Sequence, residues 1–102
     1  MAGALRRANT SSGPAGSARV GDRMGVTFTP KQGQYLAFIY YYTKINGQPP
    51  AEVDMQRYFR VTAPTVHQMV VKLAELGLIS RTPGASRSVR VLLAPWELPH
   101  LE

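Results

Sequence analysis

Between Thr62 and Leu93 the hydrophobic period of this chain changes from helical to alternating, with a single glycine at the joint. Val66, Met69, Val70, Leu73 and Leu76 recur at offsets of three and four, which puts them on one face of a helix. Thr62 precedes the run as its N-cap, and Pro64 sits in the first turn, where a missing N–H costs nothing. Gly77 stands where a helix ends in the left-handed conformation. Two short strands, 78–82 and 88–93, follow around a turn at 83–87. Helix, glycine stop and hairpin in that order point to an α+β fold.

Two further helices are expected upstream. Thr29-Pro30-Lys31-Gln32 has the form of a capping box, with proline at the first helical position and Phe28 placed for a hydrophobic staple. The aromatic run 35–42 would suit a strand as well. The cap and the Asn46-Gly47 stop decide for a helix of about 16 residues, longer than most strands. Leu36, Phe38, Ile39 and Tyr42 are its expected inward positions. Pro49-Pro50 separates it from a second helix over 51–59, with Glu52 and Asp54 in its first turn and Arg57 and Arg60 near its end, an order that suits the helix dipole. Val53, Met55, Tyr58 and Phe59 are expected to supply its buried side. Arg60-Val61 makes a tight connection to the third helix.

Length and charge narrow the function classes. The chain has 102 residues, enough for one domain with a modest core and little room for a deep cleft. Twelve Lys and Arg against six Asp and Glu give a net charge of +6, which favours a polyanionic partner. No cysteine is present, so disulfides, zinc fingers and thiol nucleophiles are excluded. No apolar run approaches the ~20 residues of a spanning helix, so no membrane role is expected. Residues 1–26 are rich in Ala, Gly and Ser and lack both a secretory apolar region and an amphipathic transit pattern. They are expected to form a disordered basic tail, with Met24 an alternative natural start. The domain is expected over 27–95, with a tail at 96–102 in which Trp96 and Leu98 add a packing contact. Leu101-Glu102 has the look of a cloning scar that plays no part in the fold.

The basic charge is not spread evenly. From Arg57 to Leu93 there are six basic residues (Arg57, Arg60, Lys72, Arg81, Arg87, Arg90) and one acid, Glu75, whereas 27–56 is neutral. On the third helix Thr65, Gln68 and Lys72 lie opposite the apolar stripe. Gln68 can bond adenine with both ends of its amide, Thr65 can touch a thymine methyl, and Lys72 suits a phosphate. Such a stripe is more commonly a plain solvated face; the basic hairpin beside it tips the balance toward DNA. The hairpin tip, with Gly84, Ser86 and Arg87, is shaped for backbone or minor-groove contact. Arg60, Lys72, Arg81, Arg87 and Arg90 are the expected phosphate contacts.

Other chemistries have less behind them. His67 has only His100 as a second histidine, so a surface or base-contacting role is favoured over a metal site, and no cofactor is expected. Tyr40, Tyr41 and Tyr42 could stack single-stranded bases, but on a capped helix they read as core with a wet edge. Ser80, Ser86 and Ser88 have no partnered base, so nucleophilic catalysis is not expected.

The order of elements, three helices followed by a two-stranded β-hairpin wing, resembles a winged helix-turn-helix, and more specifically the DNA-binding domain of LexA, the SOS-response repressor. The resemblance covers 28–93. It rests on Phe28-Thr-Pro-Lys-Gln with Gly47-Gln-Pro-Pro, on Gly77-Leu-Ile-Ser-Arg, and on Gly84-Ala-Ser-Arg with Val89-Arg-Val-Leu-Leu, in matching order and spacing. It implies that the start of the third helix enters the major groove and that the wing follows the backbone, with Thr62, Pro64, Thr65, His67 and Gln68 facing the groove. Where LexA reads bases with an Asn and two Glu, this chain has Pro64, His67 and Gln68, so a different operator is expected. LexA also continues into a self-cleaving peptidase domain that this chain does not include, so autocleavage and the SOS switch are not expected here.

The function expected from the sequence is that of a duplex-DNA-binding transcription regulator, a repressor and not an enzyme, acting on the bacterial nucleoid in the cytoplasm. One such module buries about 600–1,000 Å² of protein surface, so strong specificity calls for two copies on a palindrome. The alternatives are a winged helix used for protein interaction and a nucleic-acid binder indifferent to sequence.

Overall fold

The computed structural model describes residues 27–102. The basic tail expected at 1–26 lies outside the described residues. Three helices are followed by a minimal hairpin: α1 (Pro30–Asn46), α2 (Glu52–Phe59), α3 (Ala63–Glu75), β1 (Ile79–Ser80) and β2 (Arg90–Val91), with a 3-10 turn at Pro95–Glu97. This is the expected winged helix-turn-helix order.

The local signals act largely as the sequence implied. Thr29 caps α1 through a complete capping box: its Oγ1 accepts from the Gln32 N–H (3.0 Å) and its own N–H donates to Gln32 Oε1 (2.9 Å). Phe28 is buried, and the staple partner at the fourth helical position is Gly33. A Cβ there would stand 2.9 Å from the Phe28 ring and 3.0 Å from Pro99, so the missing side chain lets both rings close over the helix. Gly77 ends α3 in the left-handed region (φ 76°). The N–H groups of Gly77 and Leu78 donate to the carbonyls of Ala74 and Leu73, each at 3.0 Å, and Leu73 and Leu78 are buried together. This is a Schellman motif with its hydrophobic contact.

α1 is the axle of the fold. Gly33 and the unbroken run Tyr35 to Ile39 are buried, because α1 is covered on several sides. β2 packs against it, Phe59 stacks on Tyr35 (4.1 Å, 13° between rings), and Tyr58 and Phe59 both flank Phe38. Leu36, Phe38 and Ile39 are inward as expected, Tyr42 is only partly buried, and Tyr35 is an inward position that a single-stripe reading misses. Met55 of α2 and Val66, Val70 and Leu73 of α3 complete a core that holds no polar or charged residue among those described.

Four expectations need correction. Val53, Tyr58, Leu76 and Trp96, expected inward, are exposed, Trp96 at 76%. α2 buries only Met55 fully, because a helix of eight residues offers one narrow stripe. The strands are two residues each, in register Ile79↔Val91 and Ser80↔Arg90. Beyond Ser80 the Ser88 hydroxyl takes over from the ladder: Ser88 Oγ accepts from the Thr82 N–H (3.0 Å) and lies 3.2 Å from the Thr82 carbonyl and 3.0 Å from that of Ala85. Finally, Leu101-Glu102 belongs to the fold. Leu98 and Leu101 pack on the core, and the Gln34 amide holds this segment by donating to the His100 carbonyl and accepting from the Glu102 N–H, both at 2.8 Å.

Candidate nucleic-acid interface

α3 is positioned by apolar burial on one side, which leaves the other side free. Val66, Val70 and Leu73 are at most 1% exposed, whereas Thr62, Pro64, Thr65, His67, Gln68 and Lys72 are all exposed. The helical period thus separates the stripe that fixes the helix from the stripe that a ligand can reach. Gln68 and Lys72 form no side-chain hydrogen bond or ion pair among the described residues, so their donors and acceptors are unspent.

Three of the residues expected to face the groove, Thr62, Thr65 and His67, have side-chain partners within the fold. Thr62 was expected to cap α3 with its hydroxyl; its Oγ1 instead lies 2.9 Å from Thr65 Oγ1, and no side-chain cap bond forms. The first N–H groups of α3 are therefore left unsatisfied by that side chain at the point nearest the exposed face. His67 Nδ1 sits 3.2 Å from Glu52 Oε2, so this histidine bridges α3 to the start of α2.

Basic residues flank this face. Arg60 ends α2 in the left-handed region (φ 58°), a conformation that costs a residue with a Cβ about 1–2 kcal/mol. It makes the tight turn that sets α3 against α2. Arg60 and Arg90 are exposed and Arg81 is half-buried, and none of the three is ion-paired among the described residues. An open groove of about 460 Å³ runs between α2, α3 and the hairpin. Glu52 and His67 line one wall, and Arg81 and Ser86 the other.

Arg87 is not where the sequence implied. It was expected to reach outward from the wing tip; instead the backbone turns at φ 55° and the side chain folds back to the helices. Its Nη1 lies 3.0 Å from Asp54 Oδ2, 3.2 Å from the Pro49 carbonyl and 3.3 Å from the Tyr42 hydroxyl. Asp54 Oδ2 also accepts the Ala51 N–H (2.8 Å) that opens α2. Burial pushes the Asp54 carboxyl up, but the Ala51 N–H, the Arg87 charge and bonds from Tyr42 and Arg87 outweigh it and hold the carboxyl below its ordinary value. Hydrogen bonding with Tyr42, opposed by some desolvation and aided by the Asp54 charge, holds Arg87 above its ordinary value. Burial alone raises the Tyr35 hydroxyl. Arg87 lies 45 residues from Tyr42 and 33 from Asp54, which left no signal of this cluster in the sequence, apart from the acid at 54 following Pro49-Pro50.

No group of three or more His, Cys, Asp or Glu able to hold a metal occurs among the described residues. No helix among them is long and apolar enough to cross a membrane.

The fold and the exposed face of α3 define a winged helix-turn-helix. The family model for the LexA DNA binding domain matches residues 25–88, more than half of the chain, and the chain belongs to that family. LexA repressors from Pseudomonas chlororaphis and Thermosipho melanesiensis are 38% and 36% identical to it, each over 64 residues. These alignments cover 62% and 63% of this chain and 32% of each relative. The LexA repressor of Bartonella quintana is 34% identical over 68 residues, covering 66% of this chain and 29% of the relative. The chain thus spans about a third of the length of these relatives, and the shared part is the DNA-binding one.

Proposed function

We propose that this chain is the DNA-reading unit of a sequence-specific transcriptional repressor, which presents the start of α3 to the major groove and the hairpin to the phosphate backbone or minor groove. The observation that carries this reading is the division of α3. Val66, Val70 and Leu73 of its apolar stripe are fully buried, while Thr65, Gln68 and Lys72 stand unburied on the far side, flanked by unpaired arginines. Thr62, Pro64, Thr65, His67 and Gln68 face the groove; Arg60, Lys72, Arg81 and Arg90 meet phosphates; Ser86 meets the backbone from the wing. The reading assigns no catalytic step to these residues. A single module of this size favours two copies on a palindromic site, with the nucleoid as the place of action.

Fluorescence anisotropy with duplex DNA from upstream of the gene, repeated across a salt series, tests this. Binding that weakens steadily with salt and survives competitor DNA is the expected result. Absence of binding at low salt overturns the reading, and equal loss to any competitor leaves only a binder indifferent to sequence. Gln68→Ala should cost about 1–3 kcal/mol of discrimination at one base pair while non-specific affinity stays unchanged.

A further inference from the structure

We propose that Arg87 is a positioning residue that locks the wing to the helix-turn-helix through Asp54, and that the lock, which rests on the DNA-binding reading above, sets the spacing between wing and α3. Ile79, Val89 and Val91 hold the base of the hairpin on the core, but its tip has little else to hold its direction. Its ladder is two residues long on each strand, and from Thr82 to Ser88 its bonds are internal to the loop. Arg87 is the residue of that loop with side-chain bonds to the helical part of the molecule. Nη1, one of its two terminal nitrogens, meets three acceptors from two places in the chain: the Tyr42 hydroxyl near the end of α1, and the Pro49 carbonyl and Asp54 carboxylate around the start of α2.

Each side of the lock is built for the purpose. Pro49 and Pro50 are buried, so the carbonyl that Arg87 reaches sits on backbone with restricted torsions. The Asp54 side chain is 14% exposed and is already fixed by the Ala51 N–H, which anchors it to α2 before Arg87 arrives. Arg87 itself adopts a left-handed backbone that glycine would take more readily, and the three acceptors hold it there. Because α2 leads directly into α3, fixing the wing on Asp54 fixes it relative to the reading helix. The groove between them, with Glu52 and His67 facing Arg81 and Ser86, takes its width from this contact.

A phosphate contact and a lock make opposite predictions at Asp54. Removing an acid from a DNA-binding surface normally strengthens binding by relieving repulsion of phosphate. The lock requires Asp54→Asn to weaken it instead. Duplex affinity should fall about tenfold in Asp54→Asn and in Arg87→Ala, and the double variant should be no worse than either, the non-additivity of coupled neighbours. The slope of log affinity against log salt should stay as in the unaltered protein, since no phosphate contact is lost, whereas loss of one would reduce it by about one. Arg87→Lys keeps the charge and carries three donors on one nitrogen, matching the three acceptors that meet Nη1, so it should restore part of the lost affinity. A reduced slope in Arg87→Ala together with unchanged or tighter binding in Asp54→Asn would overturn the proposal. Amide hydrogen exchange separates this failure from that of the DNA reading. If the protein binds no duplex at all, faster exchange over 81–90 in Asp54→Asn, with α3 unaltered, still supports the lock, and unchanged exchange there refutes it.

Discussion

α3 and the hairpin sit side by side and are held by different physics. α3 is fixed by Val66, Val70 and Leu73, which are almost wholly removed from water in a core shared with α1, α2 and β1. The hairpin contributes Ile79 and Val89 to the same core, with Val91 and Leu93 packed against it, but its tip depends on polar contacts: a short ladder, the Ser88 hydroxyl and the bonds of Arg87. Apolar burial does not titrate and is not screened by salt, whereas a contact between charged groups near the surface responds to pH and is screened. The two parts of the proposed interface should therefore fail under different conditions, α3 with the whole fold and the hairpin tip alone.

The largest effect tests the first half of that contrast. Leu73→Ala should cost about 2–5 kcal/mol of stability, through lost transfer energy and the cavity left behind. Urea unfolding followed by circular dichroism should show helix and hairpin lost in one transition. A hairpin that melts first in this variant would mean that it does not share the core.

A smaller effect tests the second half. The Asp54 carboxyl is held below its ordinary value of 3.8, so it contributes stability that is fully present above that value. That contribution is lost as pH falls through the depressed folded value, because the unfolded chain then binds the proton more readily. Amide exchange in the hairpin should accelerate on acidification in that window and before α3 is affected. Asp54→Asn should show fast hairpin exchange already at neutral pH and no further step. An identical pH profile in both proteins would place the acid sensitivity elsewhere.

The smallest effect concerns the pair His67–Glu52, which joins the reading helix to α2 at a well-exposed site. Exposed pairs contribute about 0–1 kcal/mol, so Glu52→Gln should leave the melting temperature nearly unchanged. It also removes a negative charge beside the groove and frees His67, and DNA affinity at low salt should rise by a few-fold or less. A marked loss of affinity would show that Glu52 holds His67 in the orientation the DNA needs.

How much of this was readable beforehand follows the range of each interaction. Thr29 and Gln32 are three residues apart, and Gly77 acts on the turn that precedes it; both are visible along the chain and both appear as expected. The apolar stripe of α3 was legible for the same reason, except that Leu76 falls past the last neighbour able to cover it. Tyr35 escaped because α1 is surrounded rather than laid on a surface, so its burial follows several partners and not one period. Trp96 was misplaced by its chemistry: a large apolar ring favours burial, but Leu98 and Leu101 take the available space.

The order of elements, their caps and stops, and the helix face left for a ligand were set by interactions within a turn or two of the chain. Those interactions depend on neighbours in sequence, which no folding event can change. The direction of Arg87, the burial of Tyr35 and the docking of Leu101 were settled by meetings between residues dozens of positions apart. Along the chain Asp54 has Arg57 three residues away, yet the assembled fold, by bringing Tyr42, Pro49 and Asp54 to one corner, pairs it with Arg87.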